Sequence, residues 1–229
     1  TNEGKNYSQY ISVGYFLNSN DELDIASQRK VFCFFPTAET FRLKCVVHAP
    51  FLLVDSRQQL KDSRINSQLK SMLAELAAGA LVIMRDYGLK RGKLLINENL
   101  FSIIPESDNY SYNTDDTFRD EYIKTIRENK LLLGRNNKYI SIEEALVCRP
   151  MSMMNILSDK QLTYLKNSDY EEHKDDEDSC NYFLREETQR LYTQDYVKSI
   201  LDNLGVSIYK GDNLAADITQ KFMKTNGMK

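Results

Sequence analysis

The sequence predicts an α+β fold: a small mixed or antiparallel sheet covered by one long helix, followed by a mostly helical C-terminal region. Three observations carry that expectation. Short runs rich in β-branched and aromatic residues fill the first fifty positions. An apolar stripe at three- and four-residue steps then runs for about six turns from Ile65 to Tyr87. Beyond residue 118 the pattern breaks into shorter helical segments separated by polar turns.

Residues 10–17, YISVGYFL, read as the first strand and residues 30–35, KVFCFF, as the second, closed by Pro36-Thr37. Residues 41–48, FRLKCVVH, begin with an apolar/charged alternation in which Phe41, Leu43 and Cys45 oppose Arg42 and Lys44. That spacing predicts a strand buried on one face. The long helix follows, with Leu69, Met72, Leu73, Leu76, Ala80, Leu81, Ile83 and Met84 on its stripe and Gly88 at its end. Residues 106–117, ESDNYSYNTDDT, have almost no aliphatic side chains. The expected organisation is therefore an α+β domain over 1–108, a linker or exposed loop over 109–117, and a mainly helical domain over 118–229. Within the last part, helices are expected over 118–129, after Ser158-x-x-Gln161, over 193–204 with Gly205 as stop, and over 213–225. Ser141-x-x-Glu144 spells a second capping box.

The junction at 49–61, APFLLVDSRQQLK, poses a question. Ser56 with Gln59 three residues on is a capping-box spelling, which predicts Ser56 as N-cap and Arg57 as the first helical residue. A cation there opposes the helix dipole and costs a few tenths of a kcal/mol. A strand running into a helix would aim backbone N–H groups and the Arg57 guanidinium at one point, a ready anion site.

Composition narrows the possibilities. With 41% hydrophobic and 28% charged residues in 229, the chain has enough material for a core of its own. A net charge of −3 offers no basic footprint for nucleic acid, so nucleic acid is not an expected partner. There is no run of eighteen apolar residues and no signal peptide. A cytoplasmic protein with no membrane partner is expected. The first residue is Thr1, which suggests a piece of a longer chain. Cys33, Cys45, Cys148 and Cys180 are expected to be reduced. Cys45 and His48 would point to opposite faces of a strand, and His173 lies in an acidic run, so no metal site is expected. None of the scattered glycines forms a phosphate-binding loop, and no serine sits in a nucleophile elbow. The chain by itself does not read as an enzyme.

The segment KVFCFFPTAETFRLKCVVHAPFLLVDSRQQLK with the helix NSQLKSMLAELAAGAL resembles the sacsin-like, heat-shock-chaperone-like ATPases of bacteria, in the wider GHKL group. YIKTIRENKLLLGRNNKYISIEEAL is similar to their helical continuation, so the likeness spans roughly residues 10–150. It implies the transducer or middle region that follows the ATP-binding domain. The pocket that such ATPases need (an Asn-bearing helix, a DxGxG turn and a glycine-rich lid) is not spelled here. What the resemblance implies is a non-catalytic relay with no cofactor of its own. ATP and Mg would be held by the N-terminal ATP-binding domain of the parent chain, and protein clients are possible partners. Ser56-Arg57 matches a Ser-Arg-Glu segment whose arginine reaches the γ-phosphate, although Gln58 replaces the acid. Lys61 stands where a glutamine is usual and is a second candidate phosphate contact. The alternative is an α+β protein–protein interaction module with no nucleotide role, for which the fourteen tyrosines would suit a recognition surface.

Overall fold

The structure, a computed structural model, describes residues 10–106, 116–166 and 181–226. The expected linker over 109–117 lies outside the described residues except for Asp116 and Thr117, and so does the acidic run with His173 and Cys180. Two compact units divide between Thr125 and Ile126. The fold is α+β, with a long helix packed on a small sheet.

The first unit contains β1 (Ser12–Gly14), β2 (Val31–Cys33), β3 (Phe35–Pro36), β4 (Val46–His48), α1 (Arg64–Leu89), α2 (Leu100–Ile103) and the start of α3 (Thr117–Glu128). Its sheet is mixed, in the order β1-β4-β2-β3. β4 runs antiparallel to β1, with Val13 opposite Val47, and parallel to β2, with Val31 opposite Val47. The expected strand over 41–48 shrinks to its last three residues. Phe41 and Arg42 take left-handed φ of 47° and 56°, which no strand tolerates. That turn carries the Phe41 ring onto Phe51 and Phe118, with centroids 6.1 and 5.5 Å away. Tertiary aromatic packing thus overrides the local alternation.

Helix α1 supplies the core's largest face. Leu73, Ala74, Ala77, Ala78 and Leu81 are fully buried. The three alanines let the helix approach the sheet closely, and each buried leucine contributes about 1.5–3 kcal/mol. Its start differs from expectation. Ser63, not Ser56, is the N-cap: it is extended (φ −161°), and its hydroxyl accepts the Asn66 N–H at 3.2 Å. Arg57 therefore stands outside the helix, because residues 52–61 are already committed to a hairpin. Gly88 falls within the last turn, where a Cβ would come within 2.6 Å of the Lys93 carbonyl oxygen. By length and composition alone α1 could cross a membrane, yet its inward face packs on β1.

A polar cluster lies inside this packing. The Tyr15 hydroxyl donates to the Ala77 carbonyl at 2.9 Å and meets the Tyr122 hydroxyl of α3 at 2.6 Å. The Cys45 thiol lies 3.8 Å from that second hydroxyl. Burial pushes Cys45 up to about 11 and holds Tyr15 and Tyr122 well above the usual phenol range.

The second unit has β5 (Leu132–Leu133), β6 (Tyr139–Ile140), β7 (Ala145–Arg149), a 3₁₀ turn (Met151–Asn155), α4 (Asp159–Lys166), β8 (Tyr182–Phe183), α5 (Glu186–Leu191), α6 (Asp195–Leu204), β9 (Ser207–Lys210) and α7 (Gly211–Asn226). Most of its regular structure is helical, as expected. Its centre is a parallel sheet in the order β8-β7-β9, which the sequence did not suggest. The Ser158–Gln161 box forms reciprocally, at 2.9 and 3.2 Å, and opens α4. The Ser141–Glu144 box also closes, at 2.6 and 3.4 Å, but it caps a turn leading into β7 rather than a helix. Gly205, at φ 84°, stops α6 as expected.

Urea denaturation separates the two candidate caps: Ser63→Ala should cost about 1 kcal/mol, whereas Ser56→Ala should stay within about 0.5 kcal/mol. A second expectation concerns alkali. Unfolding releases the Cys45 thiol from its raised value of about 11 to about 9.0, so its share of stability is complete below pH 9 and disappears as pH climbs to about 11. Tyr15 and Tyr122 act in the same direction above pH 10. Unfolding midpoints recorded across pH 8–11 should therefore fall, and should fall less for Cys45→Ala relative to its own value at pH 8.

Candidate functional site

Residues 52–61 form a hairpin in the connection from β4 to α1. Leu53 bridges Leu60, the Lys61 N–H donates to the Leu52 carbonyl at 2.8 Å, and the Val54 N–H donates to the Gln59 carbonyl at 3.0 Å. The tip is Asp55-Ser56-Arg57-Gln58. There Arg57 takes a left-handed φ of 58° while its N–H donates to the Val54 carbonyl at 2.8 Å. A non-glycine residue in that region is strained by roughly 1–2 kcal/mol. The Gln58 carbonyl accepts the Ala38 N–H at 2.8 Å, which ties the tip to the segment after β3.

Asn66 holds the hairpin's base. It sits in the first turn of α1 and is only 3% exposed. Its side-chain amide donates to the Leu52 and Lys61 carbonyls at 2.8 and 2.7 Å, and its amide oxygen accepts the Leu52 N–H at 2.9 Å. One side chain thereby satisfies both strands. Sequence reasoning missed it, although Ser63-x-x-Asn66 repeats the cap spacing, and an asparagine on the inward phase of an apolar stripe is a signal in its own right.

The tip borders a cleft of about 590 Å³ lined by Cys33, Phe34, Phe35, the 51–55 segment and Arg57. Phe34 and Phe35 are 73% and 79% exposed, unusual for side chains of that size. Phe34 also has a left-handed φ, of 60°. Its N–H donates to His48 Nε2 at 3.3 Å, and its ring meets the imidazole edge-on at 5.7 Å. His48 is thus a structural acceptor, and Cys45 faces the buried tyrosines instead.

The predicted site residues are placed as follows. Arg57 is exposed at the tip, and its guanidinium has no carboxylate partner among the described residues. Ser56 is not a helix cap; its hydroxyl is 3.4 Å from the Gln58 N–H, inside the turn. Lys61 is exposed at the hairpin's base and is not a wall of the cleft. The structure therefore brings Arg57 to the cleft with Asp55, but it removes the helix dipole from any anion site there. Two arginines of the second unit are engaged. Arg135 pairs with Asp159 at 2.6 Å. Arg149 donates to the Cys148 and Gln189 carbonyls at 2.9 and 2.8 Å, with its guanidinium 4.8 Å from the Tyr192 ring centre. Compared with protein-family models, with curated proteins and with solved structures, the chain matches none.

The backbone at Arg57 yields a direct check. Arg57→Gly should stabilise the protein by up to about 1 kcal/mol, because glycine relieves the left-handed strain at some cost in unfolded-chain entropy. A drop in the urea midpoint would instead show that the guanidinium contributes to packing.

Proposed function

We propose that this chain is the non-catalytic, transducer-like middle region of a chaperone-like ATPase of the GHKL group. Its role is to read the nucleotide state of a neighbouring ATP-binding domain through Arg57. The observation that supports this reading is the Arg57 guanidinium itself: exposed, without a carboxylate partner among the described residues, and held at a strained hairpin tip. Strain of this kind persists where surrounding structure enforces it, and it concentrates at functional sites. The hydrogen bonds of Asn66 and of the Gln58 carbonyl enforce it here.

Without a helix terminus at this point, attraction for a phosphate rests on the guanidinium alone, a planar fork of donors suited to phosphate oxygens. Lys61, on the same hairpin, is a candidate second contact. ATP and Mg belong to the neighbouring domain in this reading. The contact biases the equilibrium only in the docked state, so ATP favours docking and hydrolysis releases it. A second reading, a protein-interaction module with no nucleotide role, draws support from exposed Phe34, Phe35 and Leu52 around the same cleft.

Phosphate release from the polypeptide extended N-terminally through its reading frame tests the first reading. ATP should be hydrolysed, and Arg57→Ala should lower kcat by about 10³-fold, as loss of an arginine finger does, with an unchanged unfolding midpoint. Failure of the extended protein to bind ATP, or wild-type turnover by Arg57→Ala, would leave the interaction module as the better reading.

A further inference from the structure

Helix α1 carries a second apolar stripe, separate from the one that packs on the sheet. Ile65, Met72, Leu76, Ile83 and Tyr87 are between 40% and 69% exposed along its 26 residues. Together with partly buried Leu69 and Gly79, the positions 65, 69, 72, 76, 79 and 83 alternate steps of four and three. That is the a/d seam of a coiled coil, on a helix about 39 Å long. Its flank away from the body is polar, with Arg64, Gln68, Ser71 and Glu75 exposed beside it.

We propose that this seam is a homodimer interface, in which α1 packs antiparallel against α1 of a second copy. Reversed on itself, the seam matches layer by layer: Ile65 against Ile83, Leu69 against Gly79, Met72 against Leu76. The Leu69–Gly79 layer selects the antiparallel direction. A Cβ on Gly79 would meet nothing within 4 Å, so the space over it accepts a leucine from the other copy. A parallel pair would set Gly79 on Gly79 and leave a void there. The four exposed seam side chains, Ile65, Met72, Leu76 and Ile83, offer roughly 400 Å² per copy, or about 800 Å² in total, at the low end for a specific interface. An isologous contact of that size gives a weak, reversible dimer. In the same register Glu75 faces Glu75 of the second copy across the two-fold axis, and like charges so placed oppose association.

Sedimentation velocity over a concentration series on the whole chain tests this. The wild type should show a reversible monomer–dimer equilibrium. Ile83→Glu, at the most exposed seam position, should weaken it at least about tenfold while leaving the unfolding midpoint unchanged. Glu75→Gln should tighten it by about twofold, an effect that a parallel pair would not show, since Glu75 then faces Ala80. Three results would overturn the proposal: a monomer at every concentration, a dimer indifferent to Ile83→Glu, or a monomer that floats with phosphatidylcholine vesicles through this face.

Discussion

The side-chain amide of Asn66 is the contact on which the first unit's functional geometry depends. Its three hydrogen bonds to Leu52 and Lys61 close the base of a hairpin whose backbone groups would otherwise lie unpaired beside a helix. Each such group left unsatisfied costs about 1–3 kcal/mol, so Asn66 supports more of the structure than its size suggests. The same residue donates its own N–H to Ser63, which sets where α1 begins. Helix start, hairpin register and the position of Arg57 are thus settled together.

Strain collects around that hairpin. Phe34, Phe41, Arg42 and Arg57 all take left-handed backbone conformations, and none of them is glycine or asparagine. At Phe41 the compensation is visible in aromatic packing on Phe51 and Phe118. At Arg57 no packing compensates, because the side chain is exposed. The strained tip leaves the Arg57 guanidinium exposed beside a cleft lined by Phe34, Phe35 and Leu52, and the proposed function rests on that placement.

The second unit places its polar groups differently. Gln189 is fully buried, accepting the Cys148 N–H at 2.8 Å and donating to the Leu184 carbonyl at 2.9 Å. It joins the ends of β7 and β8, and Arg149 then closes over its carbonyl. These bonds stay within the unit and stiffen it.

Much of the architecture was legible in the residues. The α+β class, the helical run of α1, the Ser158–Gln161 cap and the stop at Gly205 follow from interactions that span at most about four residues, which local spelling records directly. The inward face of α1 does not, since Met72, Leu76 and Ile83 of the expected stripe are exposed and Ala74, Ala77 and Ala78 are buried in their place. Arg57 was singled out on a helix start that does not form there, because Ser63 and not Ser56 caps α1. The start of α1 could not be read correctly, because Ser56-x-x-Gln59 and Ser63-x-x-Asn66 are equally plausible caps until Asn66 meets Leu52, fourteen positions away. β8 is two residues long and pairs with a strand more than thirty positions earlier, so periodicity carries no trace of it. Local sequence determined which segments coil and where they stop; strand partners, the hairpin and the strained tip were decided by tertiary structure, because hydrogen bonds between distant residues exist only once the chain has folded.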